Sequence, residues 1–230
     1  MFVISHRGAA GLAPENTLTG ISLAKKYHVN AIEIDVRITK DGRLVLWHDS
    51  RTLKATGKNE KISDLTLKEI HLTITNSGHP IPTLEEAIEE ADGTCLALDL
   101  KGGNWAEALS SALKDKNPGY FLVSSDNHRE LIRFSLLSPA IEVYASAWGH
   151  AFDALYLARQ AKLNGVSLSY GLFNPATYIF ARRAKLKMIM FTINNPIIAR
   201  LMHRLYPGTM ITTDFPDRFE EIIKKSRRKT

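Results

Sequence analysis

The sequence predicts an α/β chain folded as a TIM (β/α)8 barrel, and three observations carry that expectation. From residue 94 onward, short β-branched or apolar runs alternate with amphipathic stretches of helical period, the pattern of parallel strands joined by crossover helices. The chain has 230 residues, 44% hydrophobic and 23% charged, a size that α/β barrels fill as one domain. Eight parallel strand candidates remain once one antiparallel hairpin return is set aside.

The first strand is expected at 2–5 and the second at 31–36. The next run, 43–48, follows after the short segment around Thr39-Lys40-Asp41-Gly42, whereas a parallel crossover needs about a dozen residues. Asp41-Gly42 is a hairpin signal, so 43–48 is expected to return antiparallel to 31–38, outside the barrel count. Residues 50–82 carry Thr52, Gly57, Asn59, Gly78, Pro80 and Pro82 without strong periodicity, and read as a small insertion above the C-terminal face. The remaining strands are expected at 94–100, 120–124, 141–145, 164–168, 187–193 and 209–213. Thr83-Leu84-Glu85-Glu86 has capping-box spacing, and Asn104, Asn127, Asn174-Pro175 and Asn195-Pro196 precede apolar-periodic segments as helix caps. The barrel domain is expected to span 1–218, with a helix end and basic tail over 219–230.

Composition narrows the function classes. Cys95 is the single cysteine and lies in an apolar run, so no intrachain disulfide forms and a small buried strand residue is expected. The start, Met1 to His6, lacks a basic region and a long apolar region, and no apolar stretch approaches the ~18 residues of a spanning helix; a cytoplasmic setting is expected. Of the formal charge of +6, Lys224, Lys225, Arg227, Arg228 and Lys229 supply five. The excess is mostly a tail, which points away from nucleic acid and to at most weak contact with anionic lipid or polyanions.

Barrel active sites lie at the carboxyl ends of the strands, so the residues that close each apolar run decide the chemistry. His6 and Arg7 close the first. Glu33 and Asp35, at i and i+2, project from one face of the second while Ile32, Ile34 and Val36 project from the other. Asp99 and Lys101 repeat that spacing later in the chain. Three carboxylates converging in a barrel mouth stay ionised only beside a cation, and an all-oxygen set favours Mg²⁺ or Ca²⁺ over zinc. With a divalent ion, Arg7, Lys101 and one phosphodiester added, the charges cancel. Arg7 suits bidentate phosphate contact and Lys101 a point-charge contact. His48 closes the hairpin return: a two-residue loop sets it opposite Asp35, a four-residue loop opposite Glu33, and a three-residue loop opposite Ile34, off the carboxylate face. His6 and His48 offer a proton acceptor and donor near neutral pH. His28, His71, His79, His128, His150 and His203 lack such placement and read as surface or loop residues.

At these positions the sequence resembles the glycerophosphodiester phosphodiesterase family, whose TIM-barrel fold is related to the phosphatidylinositol-specific phospholipases C. The resemblance rests on His6-Arg7-Gly8, Pro14-Glu15-Asn16-Thr17, Glu33-Ile34-Asp35-Val36, Thr39-Lys40-Asp41-Gly42, His48-Asp49, Pro82-Thr83-Leu84-Glu85-Glu86 and Thr212-Thr213-Asp214-Phe215-Pro216-Asp217, and covers essentially 1–218. It implies that Glu33, Asp35 and Asp99 bind a divalent metal, that Arg7 and Lys101 hold the phosphate, that His6 and His48 are acid and base in an order left open, and that Asn16 supports the site. The implied chemistry is attack on phosphorus, by the neighbouring glycerol hydroxyl and then by water, releasing an alcohol and glycerol 3-phosphate from a small phosphodiester. A lysophospholipase D and a non-catalytic phosphate-binding barrel are the competing readings. Two departures stand out. Asp99 replaces a glutamate, losing roughly 1.5 Å of reach, and Phe191 replaces a tryptophan, removing its N–H. Trp148, Tyr170 and Phe173 follow predicted strands and, with Phe191, are candidates for a leaving-group pocket.

Overall fold

The computed structural model describes residues 1–73 and 75–227. Its strands are β1 (Phe2–Ser5), β2 (Ala31–Ile38), β3 (Leu44–Leu46), β4 (Cys95–Leu100), β5 (Phe121–Ser125), β6 (Glu142–Ala147), β7 (Gly165–Ser169), β8 (Lys187–Phe191) and β9 (Met210–Thr213). They run β1-β9-β8-β7-β6-β5-β4-β2 and close through β1–β2, every barrel pairing parallel. This is the eight-stranded TIM barrel, with β3 added antiparallel on β2.

Strand alternation separates two apolar layers. Ile32, Ile34 and Val36 of β2, with Leu96, Leu98 and Leu100 of β4, face outward into the core shared with the surrounding helices. Each such fully buried side chain contributes roughly 1.5–3 kcal/mol. Facing inward, Ile4, Ala31, Ala97, Tyr144, Ile189 and Met210 fill the barrel. The next inward positions toward the strand carboxyl ends are Glu33, Asp35 and Asp99, so the site stands on a packed apolar floor.

Helix starts follow the sequence signals with one exception. Thr83 forms a reciprocal capping box with Glu86, and Asn127, Asn174 and Asn195 accept backbone N–H groups as caps. Asn104 does not cap: it sits at φ +62° and Trp105 precedes the helix Ala106–Leu113 instead. The Ala106 N–H donates to Glu130 Oε2 at 3.1 Å, so a neighbouring helix supplies the missing acceptor.

The hairpin returns antiparallel as expected, in one of its three candidate registers. Its pairs are Val36 with Leu46, Arg37 with Val45 and Ile38 with Leu44, the three-residue-loop register and neither of the two that would oppose His48 to a carboxylate. The reason lies in side chains around the turn. Thr39 Oγ1 donates to Asp41 Oδ1 at 2.6 Å and accepts from the Arg43 N–H at 2.9 Å, while Gly42 takes φ +80°, which a glycine adopts without strain. Asp41 also accepts from the Leu67 N–H, anchoring the turn to the insertion. That insertion packs Ile62, Ile70 and Ile81 against Val45 of β3. The helix Glu220–Arg227 packs Ile222 and Ile223 on the main core; Arg228 and Lys229 of the basic tail lie outside the described residues. Among the described residues no helix is long and apolar enough to cross a membrane.

Candidate active site

The carboxyl ends of the strands enclose a cavity whose polar lining includes His6, Arg7, Glu33, Asp35, Asp99 and Lys101. Glu33 and Asp35 reach it because β2 alternates, and Asp99 pairs directly with Asp35 across the β2–β4 ladder. Each of the three carboxylates offers an oxygen within 4.8 Å of the others. Burial, followed by the charge of Asp35, pushes Glu33 up to about 7. Burial also raises Asp99, against the pull of Lys101. Asp35 is buried too, yet Lys101 and Arg7 outweigh that cost and hold its carboxyl below the usual range. Neighbouring cations thus favour the charge of Asp35, while burial disfavours that of Glu33 and Asp99.

Arg7 and Lys101 flank this triad. The Arg7 Nη1 donates to Glu15 Oε2 at 2.7 Å, and its Nε lies 3.1 Å from Asp35 Oδ2. Its backbone N–H donates to Glu33 Oε2 at 2.7 Å, which its left-handed φ of +49° permits. The bend continues through Gly8 at φ +84°, where a Cβ would come within 2.9 Å of the Gly20 backbone. Lys101 Nζ bonds Asp99 and lies 3.3 Å from Asp35 Oδ1; burial opposes its charge, but the two carboxylates raise its pKa and keep it an ammonium. Asn16, buried at φ +57°, clasps Asp35 from both sides, donating to Oδ2 and accepting the Asp35 N–H, each at 2.9 Å.

His6 closes β1 with its Nδ1 2.6 Å from Asp214 Oδ1; a carboxylate only accepts, so Nδ1 carries the proton. Nε2 is left facing Glu33 Oε2 at 3.8 Å. Burial alone would lower the His6 pKa, but Glu33 and Asp214 together raise it. Asn194 holds Asp214 in place: its Nδ2 donates to Asp214 Oδ2 at 2.7 Å and its Oδ1 accepts the Asp214 N–H at 2.8 Å. His48 stands past the end of β3 at the rim, outside the cavity lining, with its Nδ1 2.8 Å from Asp49 Oδ1. Arg37 donates twice to the His48 carbonyl, which fixes that backbone, and the imidazole is near enough to favour the charge of Asp35.

Of the aromatic candidates, Trp148 and Phe191 line the cavity and meet edge to face at 4.7 Å. Tyr170 and Phe173 do not line it. Tyr170 is exposed, because the β7 strand ends in a short turn of helix there, and Phe173 is buried against Tyr206 as ordinary packing. None of the six other histidines borders the cavity. Asp214, Asn194 and Ser124 were not singled out as site residues by sequence reasoning; Ser124 donates to Asp99 Oδ1 at 2.9 Å. The available signal was position for Ser124, at the end of β5, and for Asp214, which directly follows β9, its place in the 212–217 segment that carries the resemblance.

The fold and this mouth place the chain among the barrel phosphodiesterases, and known proteins supply the family. The model of the Glycerophosphoryl diester phosphodiesterase family matches residues 6–103. A glycerophosphodiester phosphodiesterase of Bacillus altitudinis is 30% identical over 245 residues, covering 98% of this chain and 99% of the relative. A phosphodiesterase of Oleispira antarctica, solved in complex with the product sn-glycerol-3-phosphate, superposes with a TM-score of 0.87 at 26% identity over 97% of each chain. A glycerophosphodiester phosphodiesterase of Thermotoga maritima, 22% identical over 98% of each chain, shares the fold with a TM-score of 0.81. The chain belongs to the glycerophosphodiester phosphodiesterase family and is a phosphoric diester hydrolase.

Proposed function

We propose that the chain hydrolyses glycerophosphodiesters to an alcohol and glycerol 3-phosphate with a divalent cation, Mg²⁺ or Ca²⁺, held by Glu33, Asp35 and Asp99, and with His6 and His48 moving the protons. The observation that carries this reading is the carboxylate triangle, three oxygens within 4.8 Å beside two cationic side chains. The all-oxygen donor set fits a hard cation. A cation held there supplies Lewis-acid stabilisation of the charge that builds on the phosphoryl oxygens.

The chain's own residues do the rest. Lys101 and Arg7 hold the phosphodiester, and Asn16 keeps the Asp35 carboxylate oriented. The glycerol hydroxyl next to the phosphate attacks phosphorus and gives its proton to one histidine. The bond to the leaving alcohol breaks as the other histidine protonates that oxygen, and water opens the resulting cyclic phosphate with the proton roles exchanged. His6 suits this traffic because Asp214 fixes its tautomer and leaves Nε2 toward the cavity. Trp148 and Phe191 give the leaving group an apolar wall. Residues 1–218 act as one catalytic unit in this reading, with 50–82 as its insertion.

The test measures release of the alcohol and of the phosphate-bearing product, glycerol 3-phosphate from glycerophosphocholine and glycerophosphoethanolamine and lysophosphatidic acid from lysophosphatidylcholine, each with Mg²⁺, Ca²⁺ or chelator. Metal-dependent release from the two water-soluble diesters is expected. Preference for lysophosphatidylcholine moves the assignment to a lysophospholipase D, and binding without product to a phosphate-binding barrel.

A further inference from the structure

Charge is unevenly distributed around the barrel. Between Ala154 and Thr213 the sequence holds eight Lys and Arg and no Asp or Glu, whereas residues 1–153 hold 16 and 20. The acid-free stretch builds β7, β8 and β9 with the helices Pro175–Arg183 and Pro196–Leu205.

The second of these helices is unusual in what it exposes. Ile197, Leu201 and Leu205, one row at i, i+4 and i+8, are 73%, 54% and 55% exposed, and Ala199 is the helix's buried residue. A barrel helix ordinarily turns such a row onto the strands. Arg200 and Arg204 are exposed on the same helix. The adjoining helix, joined through the Tyr178–Tyr206 ring contact at 5.3 Å, adds exposed Ile179, Arg182 and Arg183. At its upper end the exposed helix follows β8, whose last residue Phe191 forms the cavity wall with Trp148, itself 58% exposed.

An exposed apolar row on a pair of helices that carry guanidiniums and no acid of their own matches the boundary of an anionic bilayer, which takes apolar side chains below the headgroups and cations at the phosphates. A second copy of the chain fits it poorly, since a two-fold contact would set this basic face against itself with no carboxylate to pair. We propose that the helix Pro196–Leu205 and the neighbouring basic face dock this protein on an anionic lipid surface. Docking stands apart from the roles given to the cavity residues. Its use, to set the mouth beside phosphodiesters derived from that surface, rests on the proposed function.

The experiment is co-sedimentation of the full chain with vesicles of phosphatidylcholine alone or mixed with phosphatidylglycerol, at low and high salt. Anionic vesicles should bind at least ~10-fold more protein than neutral ones, with the excess falling as salt rises. The double variants I197E/L201E and R200E/R204E should each lose about tenfold in partitioning, with an unchanged thermal midpoint to report an intact fold. Equal binding to both vesicle types overturns the proposal. So does binding that survives in both double variants and is abolished only when the basic residues of the tail are replaced. Self-association lost in the same variants, without vesicle binding, overturns it in favour of a second copy. A protein that docks yet hydrolyses no diester overturns the proposed function and leaves the docking surface standing.

Discussion

Replacing Asp214 with asparagine tests the histidine assignment at its support. In the native site the Asp214 carboxylate accepts the His6 Nδ1–H at 2.6 Å and a hydrogen bond from Asn194 Nδ2, while the Asp214 backbone N–H donates to Asn194 Oδ1. Asp214→Asn keeps the shape but removes the charge, and its amide can donate to Nδ1, turning the wrong tautomer toward the cavity. A hydrogen bond to a charged partner is worth about 1.5–3 kcal/mol, which converts to a loss of about 10- to 150-fold in turnover. Asp214 and Glu33 raise the His6 pKa, so losing one of them moves the His6 limb of the pH–rate profile to lower pH, whether His6 acts as acid or base. The assay is kcat and KM for glycerophosphocholine across pH at saturating metal. Turnover within twofold of wild type with an unmoved limb would refute the proposed coupling of Asp214 to His6.

His6→Ala and His48→Ala should each cut turnover by ~10²–10⁴-fold with folding intact, and their combined loss should be less than multiplicative; a variant keeping half the activity removes that histidine from the chemistry. Asp99→Asn should weaken metal-dependent turnover because an amide oxygen is a poorer ligand for a hard cation, whereas Asp99→Glu should retain it with an altered Mg²⁺/Ca²⁺ preference; metal titration of the two variants decides. In chelator, the folded protein binds a proton at Glu33 up to about pH 7 that the unfolded chain releases near 4.3, so this residue's contribution destabilises increasingly from about pH 4.5 to 7, by up to about 3 kcal/mol. Denaturant unfolding should therefore show Glu33→Gln gaining stability relative to wild type as pH rises through that window, and a constant difference would contradict the assignment.

The parts legible in the sequence were those governed by local pattern. Period-two alternation put Glu33 and Asp35 on one face and Ile32, Ile34 and Val36 on the other, as the two core layers show. Parallel strands need long crossovers, which separated β3 from the barrel count. The hairpin register was not legible, because Asp41-Gly42 alone suits several loops and the choice falls to Thr39 and to the Leu67 N–H from a distant segment. Asn104 misled for the same reason: the acceptor for Ala106 comes from Glu130, 24 residues on. Asp214, held by Asn194, reaches His6 only after β9 pairs with β1, a contact spanning 208 residues. Tyr170 and Phe173 show that following a strand does not set which way a loop side chain turns.

In the proposed function the carboxylate triangle holds the cation on which hydrolysis depends. Its most direct test is glycerol 3-phosphate release from glycerophosphocholine against free Mg²⁺ or Ca²⁺, starting from protein verified as metal-free, with Glu33→Gln alongside. No turnover is expected without metal, followed by saturable restoration, with the midpoint displaced to higher metal concentration in Glu33→Gln. Full turnover by the metal-free protein, or identical metal responses of wild type and variant, would contradict it.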